Sequence, residues 1–568
     1  MRLTSLLKIL TFAFAASGLL AGAQVKTPPS YRITGIVVSS IDGAPVPHSH
    51  LTATLVPQGA HTAGRQFPSS LGTFDTDEHG RFSIALPSAG MWRIVGSARG
   101  YVTQAYDEHQ LYSSGVVLTA ASPVIDLRFQ LSPEAVITGT VLDEAGEAVR
   151  NAQVSLLELN PPEPDSAPAA ERTHASASTD DRGSYEFDGL QPGDYRIRVQ
   201  AQAWYAIAAQ QGPINTESGQ HQVDPALDVT YPLTWYPGTS DPTQAETLEL
   251  HAGDLRQADF QLIPVPSVHL HIVPETSVDA NGRRMPTYPM VERISAGEDN
   301  FVPVSMHIDP QGTIDIGGLA PGEYEVRLQG PGQTVKPAIV NLSEGAAQTL
   351  DMSAAPSMAS VTVHLDGLAG ADVDSVRVNF INPEDGHNVA RDNAGAYFLS
   401  GSFLQRRQRA PNRTIEIPPG RYEVVLEGKA NLYLTGITAQ SAQANGRFVT
   451  VPSGASILTL HIADGRSTLT GTAMMQGKPS IGAMVLLIPA TLGEPDNFKI
   501  VRLDQTNTDG SFELDDVLPG QYILLAIDHG WQINWKDPST LRGYLMHGIP
   551  VDLASTQSLR ETVETQAP

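Results

Sequence analysis

A four-residue turn recurs along this chain at domain-sized spacing, and that recurrence limits the possible folds more than any other feature. Pro-Gly-x-Tyr stands at Pro192-Gly193-Asp194-Tyr195, Pro321-Gly322-Glu323-Tyr324, Pro419-Gly420-Arg421-Tyr422 and Pro519-Gly520-Gln521-Tyr522, with tyrosines 129, 98 and 100 residues apart. A degenerate copy, Ala89-Gly90-Met91-Trp92, precedes them and carries Trp in place of Tyr. After each turn the chain alternates in period two, as in Tyr195-x-Ile197-x-Val199 and Tyr422-x-Val424-x-Leu426. Before it runs a second alternation, as in Gly183-x-Tyr185-x-Phe187 and Gly510-x-Phe512-x-Leu514. Period two marks half-buried strands, and a short Pro-Gly link between two such strands predicts a hairpin or a sheet-to-sheet corner. Units of roughly 100 residues match independent β-sandwiches rather than solenoid repeats of about 20–45.

Three units open alike, at Ile33-Thr34-Gly35-Ile36-Val37, Ile137-Thr138-Gly139-Thr140-Val141 and Leu469-Thr470-Gly471-Thr472-Ala473. Glycine inside a strand is unfavourable unless a bulge or a close backbone requires it, and a bulge is the expectation here. Units one and two close on matching strands, Leu127 to Leu131 and Asp259 to Leu262. Helical patterning is scarce, with one short turn expected near Asp537 to Leu545. The reading is therefore all-β, a tandem array of about five seven-stranded sandwiches: 24–131, 132–263, 264–357, 358–465 and 466–568.

Residues 1–23 read as a signal peptide. Arg2 and Lys8 precede a mostly apolar run from Ile9 to Leu20, and Ala21-Gly22-Ala23 supplies a small-x-small cleavage site, with cleavage after Ala23. The run is shorter than the roughly 20 residues that span hydrocarbon. Ala23 stands where a lipobox would need its cysteine, so the chain is not read as a lipoprotein. These features predict a secreted or periplasmic protein with no transmembrane segment in its mature part.

Composition removes several functions. Hydrophobic residues make up 41% and charged ones 17%, which suits packed cores rather than a disordered chain. Lys and Arg total 36 against 61 Asp and Glu, a net charge of −25 that repels nucleic-acid phosphates. There is no cysteine, hence no disulfide, thiolate zinc site or iron–sulfur cluster.

The run Ile-Thr-Gly-Thr-Val, then Thr179-Asp180-Asp181-Arg182-Gly183, then Leu190-Gln191-Pro192-Gly193-Asp194-Tyr195 resembles the carboxypeptidase regulatory-like domain, a transthyretin-like or CNA-B-like sandwich of Ig-like (prealbumin-like) form. Unit five resembles it through Thr508-Asp509-Gly510 and Leu518-Pro519-Gly520-Gln521-Tyr522. Unit one is divergent, and units three and four keep the Pro-Gly-x-Tyr half. Tandem copies of this kind, including Thr234-Trp235-Tyr236-Pro237-Gly238, are similar to those of acidobacterial-type secreted proteins.

Chemistry is sparse. A carboxypeptidase zinc site would need His-x-x-Glu, and the nearest approaches include His221-x-x-Asp224 and His251-x-x-Asp254. No Gly-x-Ser-x-Gly elbow or phosphate-binding loop occurs. Asp75-Thr76-Asp77-Glu78-His79-Gly80 begins like an EF-hand but has Leu86 at its twelfth position, so it reads as a turn. No lysine lies between Lys26 and Lys336, which excludes Lys–Asn isopeptide bonds in units one and two, and Lys478 sits in a turn. No cofactor, metal or catalytic residue is expected. Aromatic pairs in segments read as loops, Trp204 with Tyr205, Trp235 with Tyr236, and Trp531 with Trp535, are the candidates for stacking on sugar rings; the competing reading is that they cover sandwich ends. The expected function is that of a non-catalytic binding or structural protein of the cell envelope, with envelope proteins or polysaccharide as partners. The alternative is a carbohydrate-binding accessory protein for polysaccharide recognition or degradation.

Overall fold

The computed structural model describes residues 30–57, 70–159, 171–210, 224, 226–273, 288–295, 298–301, 305–308, 313–329, 337–343, 348–352, 358–367, 376–383, 388–391, 413–427, 432–490, 501–535 and 537–568. The signal-peptide reading at 1–23 lies outside them, as does Lys336. The fold is almost wholly β.

One topology recurs in every unit. The opening strands are Tyr31–Ser39, Ala135–Leu142, Val268–Val273, Ala359–Asp366 and Ser467–Met475. Each lies antiparallel to the strand before the Pro-Gly turn and parallel to the unit's closing strand. The strand after the turn pairs on the opposite side instead: Gly193–Gln200 with Gln153–Leu159, and Gly520–Ile527 with Met484–Pro489; in unit five the two sheets also join at one edge, where Ala526 and Ile527 lie parallel to Thr565 and Gln566 of the closing strand. The Pro-Gly turn is therefore a corner between facing sheets. Both alternating faces point into the same core, because the chain turns over as it passes from one sheet to the other.

Tyrosine holds that corner. Tyr195, Tyr324, Tyr422 and Tyr522 are all buried, and each hydroxyl donates to the carbonyl four residues upstream: Gln191 at 3.0 Å, Ala320 at 2.7 Å, Pro418 at 2.6 Å and Leu518 at 2.6 Å. The ring fills the core while the hydroxyl satisfies a turn carbonyl that the strands leave unpaired. Trp92 fills the same place in unit one, but its Nε1 finds no acceptor among the described residues.

The opening-strand glycines answer to crowding rather than to bulges. Register runs unbroken through Gly35, which faces Phe82 on one side and Leu127 on the other. A Cβ there would fall well inside contact with the Leu127 carbonyl and the Phe82 ring. Gly139 meets Ala258 and Tyr185 in the same way, and Gly471 meets Glu561 and Phe512. The parallel closing strand and an inward aromatic leave room only for hydrogen.

The principal hydrophobic clusters draw their buried members from single stretches of chain, within 33–131, 135–262, 268–352, 359–462 and 469–563. A short ribbon, Val229–Thr230 with Val265–Pro266, ties unit two to unit three. The helix Pro538–Leu545 forms where expected, capped by Asp537, whose carboxylate accepts from Ser539 N at 2.9 Å. A second helix, Trp204–Gln210, replaces an expected loop; seven residues are too few to show a helical period.

Candidate functional site

The six candidate aromatics have very different surroundings. Trp235 is 2% exposed: it lies in a short strand paired with Arg198, whose guanidinium sits 5.6 Å from the ring centroid, and it packs with Leu157 and Leu233. Tyr236 is half-buried, edge-on to Phe260 at 5.8 Å. Trp235 therefore offers no open ring face to a sugar, and the Thr234–Trp235 segment is strand rather than loop. Trp531 is 9% exposed, and Trp535 is half-buried beside it in the same apolar cluster. Tyr205 is half-buried, and its hydroxyl donates to Glu144 Oε1 at 2.6 Å. Trp204 is different, with 71% of its surface exposed.

Trp531 lies at the centre of a joint that sequence reasoning missed. Its ring stacks on His109 (5.6 Å, 8° between planes) and on Tyr112 (5.5 Å, 29°), and its Nε1 donates to Gly482 O at 3.1 Å. His109 and Tyr112 belong to unit one, Trp531 to unit five. Around the stack Tyr112 is buried with Met484, Leu486, Leu525 and Leu541, and burial pushes the Tyr112 phenol up.

Polar groups complete the joint. Gln505, 1% exposed, donates through Nε2 to the Asp107 carbonyl, to Asp107 Oδ2 at 3.1 Å and to Ser114 Oγ at 3.0 Å. Ser114 Oγ in turn donates to Thr506 O at 2.8 Å. Backbone groups also cross: Gly115 N donates to Asn507 Oδ1 at 2.8 Å, Val117 N to Thr508 Oγ1 at 2.9 Å, and Thr508 N to Gly115 O at 3.0 Å. Buried polar groups paired this fully fix one relative placement of the two units.

Unit five's version of a turn that units one and two share makes this possible. Thr76 and Thr179 each accept a backbone N–H through Oγ1, from Ser49 at 2.8 Å and Ala152 at 2.9 Å; Thr506 does so from Ala483 at 2.8 Å. Thr506, four residues before Gly510, is thus the counterpart of Thr179, whereas the sequence reading placed the motif at Thr508. The next residue is Asp77 or Asp180 in units one and two, with its carboxylate held low by backbone N–H bonds of the turn, chiefly Arg81 and Ser184 respectively. In unit five it is Asn507, and its side-chain oxygen points to unit one. Counting back from Gly510 would have exposed this substitution.

A second junction forms a cleft of about 860 Å³ between units two and three. Trp204, Gln202, Asn151 and Gln153 line it from unit two, and Arg293 and Tyr324 from unit three. At the junction, His269 Nε2 lies 2.9 Å from Asp228 Oδ2, and its Nδ1 lies 3.5 Å from Asp315. The hydrogen bonds to Asp228 and Asp315 outweigh burial and raise the imidazole to about 10, so it is charged at neutral pH. Among the described residues no group of three or more metal-type side chains converges, and no helix is long and apolar enough to cross a membrane.

Residues 136–262 match the profile of the carboxypeptidase regulatory-like domain, a non-catalytic domain type. No curated protein matches the chain significantly. Solved structures that match include the TIE protein of Bacillus anthracis, at 13% identity over 78% of this chain and 76% of that one, with a TM-score of 0.16. A streptococcal ancillary pilin matches at 12% identity over 57% of this chain and 98% of its own, with a TM-score of 0.20. The minor pilin of Streptococcus agalactiae matches at 11% identity over 44% and 100%, with a TM-score of 0.21.

Proposed function

We propose, starting from the carboxypeptidase regulatory-like domain at residues 136–262, that the chain is a non-catalytic, exported structural and binding protein of the cell envelope. It is built as five sandwich domains with boundaries near residues 132, 264, 358 and 466, and it is mature from Gln24. One observation carries the reading: the joint in which Trp531, His109 and Tyr112 stack and Gln505 bonds Asp107 and Ser114. Aromatic side chains buried between units serve geometry, and a chain whose ends are tied by buried hydrogen bonds holds its surfaces in fixed relation. The net charge of −25 suits a soluble surface that avoids nucleic acid.

Solution scattering from the chain beginning at Gln24 tests the closed scaffold. The expected maximum dimension is well below that of five domains end to end, and it increases in Trp531→Ala. A parent particle as long as five aligned domains would overturn the reading. N-terminal sequencing of the exported protein checks the maturation site, with Gln24 as the expected first residue. A second reading, a carbohydrate-binding accessory protein, is favoured by the open Trp204 ring at the cleft.

A further inference from the structure

We propose that the cleft between units two and three binds a neutral oligosaccharide, with the indole of Trp204 as its stacking platform. The inference rests on the carbohydrate-binding reading and adds a place and a ligand class to it. Its size is suitable: about 860 Å³ falls within the roughly 300–1,000 Å³ of small-molecule sites. The walls are tied before any ligand arrives. Val229–Thr230 pairs with Val265–Pro266, Ser267 N donates to Asp228 O at 2.9 Å, and His269 is bonded to Asp228. Little ordering of the protein is then needed on binding.

The lining selects the ligand. Trp204 presents an open ring, steadied by Tyr205 standing edge-on at 5.9 Å and 85°. An aromatic face is electron-rich and attracts the weakly positive C–H face of a pyranose. Asn151, Gln153 and Gln202 each carry both donor and acceptor groups, which match hydroxyls that are themselves both, although one N–H of Gln153 is already donated to Ser178 Oγ at 2.6 Å. Charge is balanced, Asp143 and Glu147 against Arg150 and Arg293, so the cleft has no net attraction for an anion or a cation. The chain's overall negative charge further disfavours polyanions. A proline-rich peptide also stacks on Trp, but such peptides are gripped between several aromatic ridges. Here the other lining tyrosines, Tyr231 and Tyr324, are buried, with hydroxyls already donated to Glu144 and Ala320 O.

The test is calorimetric titration of the chain beginning at Gln24 with cellohexaose, xylohexaose, maltohexaose, mannohexaose and chitohexaose, with hexagalacturonate and hexaproline as contrasting probes. At least one neutral hexasaccharide is expected to bind saturably and to shift tryptophan emission. Trp204→Ala should weaken that binding by about tenfold or more, while Trp204→Phe retains most of it. Combined Asn151→Ala and Gln202→Ala should also weaken it. The exposure of Trp204 makes its replacement compatible with folding; Asn151 has a left-handed backbone, φ 57, which Ala adopts less readily, so circular dichroism verifies the fold of every variant. Absence of binding by every neutral probe at millimolar concentration would overturn the proposal. So would binding indifferent to Trp204→Ala, or tighter binding of hexagalacturonate or hexaproline. The scattering profile reports the scaffold separately: loss of sugar binding with unchanged dimensions rejects the ligand alone.

Discussion

Replacing Gln505 by Ala should open the joint between units one and five while leaving both cores intact. Its side chain bonds to unit one: to the Asp107 carbonyl and carboxylate, Ser114 Oγ, and His109 Nδ1 at 3.2 Å from Oε1. The amide has two protons, so it supplies at most two full hydrogen bonds through Nε2. One directed at a carboxylate contributes about 1.5–3 kcal/mol and one at a neutral acceptor about 0.5–1.5 kcal/mol, or about 2–4.5 kcal/mol together. At 1.4 kcal/mol per factor of ten, the open fraction should rise roughly 30- to 1,600-fold. Native-state hydrogen exchange reads this directly through amides that bond across the joint, Gly115, Val117 and Thr508. Their protection should fall by that factor, while Ile84 in unit one and Leu487 in unit five, both fully buried, keep theirs. Unchanged protection at Gly115 and Val117 would refute the reasoning. An equal fall at Leu487 would refute it too, because the damage would then lie in the fold of unit five.

Tyr195→Phe removes only the hydroxyl bonded to Gln191 O and should cost about 1 kcal/mol in urea unfolding. A change within error would show that the corner does not need the bond. Gly139→Ala must push apart Ala258 and Tyr185 and should destabilise by about 1–3 kcal/mol, well beyond any gain from its strand propensity, so the melting temperature of a unit-two fragment should fall. His269 is raised above its unfolded value near 6.5, so its stabilising contribution is complete below that pH and is lost as pH rises through about 10. Asp315 behaves oppositely: burial would raise it, but the His269 hydrogen bond and charge hold it low, so its contribution is lost as pH falls through its depressed folded-state value. Urea midpoints measured between pH 6 and 10.5 should decline in the parent and stay flatter in His269→Gln; parallel profiles would exclude the clasp.

Where chemistry was local, the sequence was legible. Pro-Gly-x-Tyr announced each corner because the tyrosine hydroxyl reaches a carbonyl only four residues away. The alternating strands and the matching closing strands followed from the same short-range patterning, as did the helix after Asp537. The reason for Gly35 and Gly139 was half visible: a close neighbour was one of two options, but which backbone comes close depends on a strand about a hundred residues away. The unit one to unit five joint had no local signature, since its partners are separated by nearly 400 residues and Asn507 differs from the turn aspartate by one atom group. The surroundings of Trp235 were not fixed by its own segment, because a two-residue strand leaves no periodic trace and its cover comes from Arg198 on another strand.

The parallel pairing of first and last strands has a mechanical consequence. A pull on a unit's two ends draws those neighbours in opposite directions along their length, so their hydrogen bonds are loaded in shear and must fail together instead of unzipping singly. Resistance then scales with the overlap. Unit one aligns eight residue pairs from Arg32 to Ser39, and units four and five align seven each. Unit two aligns five, in two blocks of three and two, and unit three shows four among the described residues. Under tension along the chain, once the joint between units one and five has parted, the short and divided overlap of unit two should yield before those of units four and five, with unit one the last.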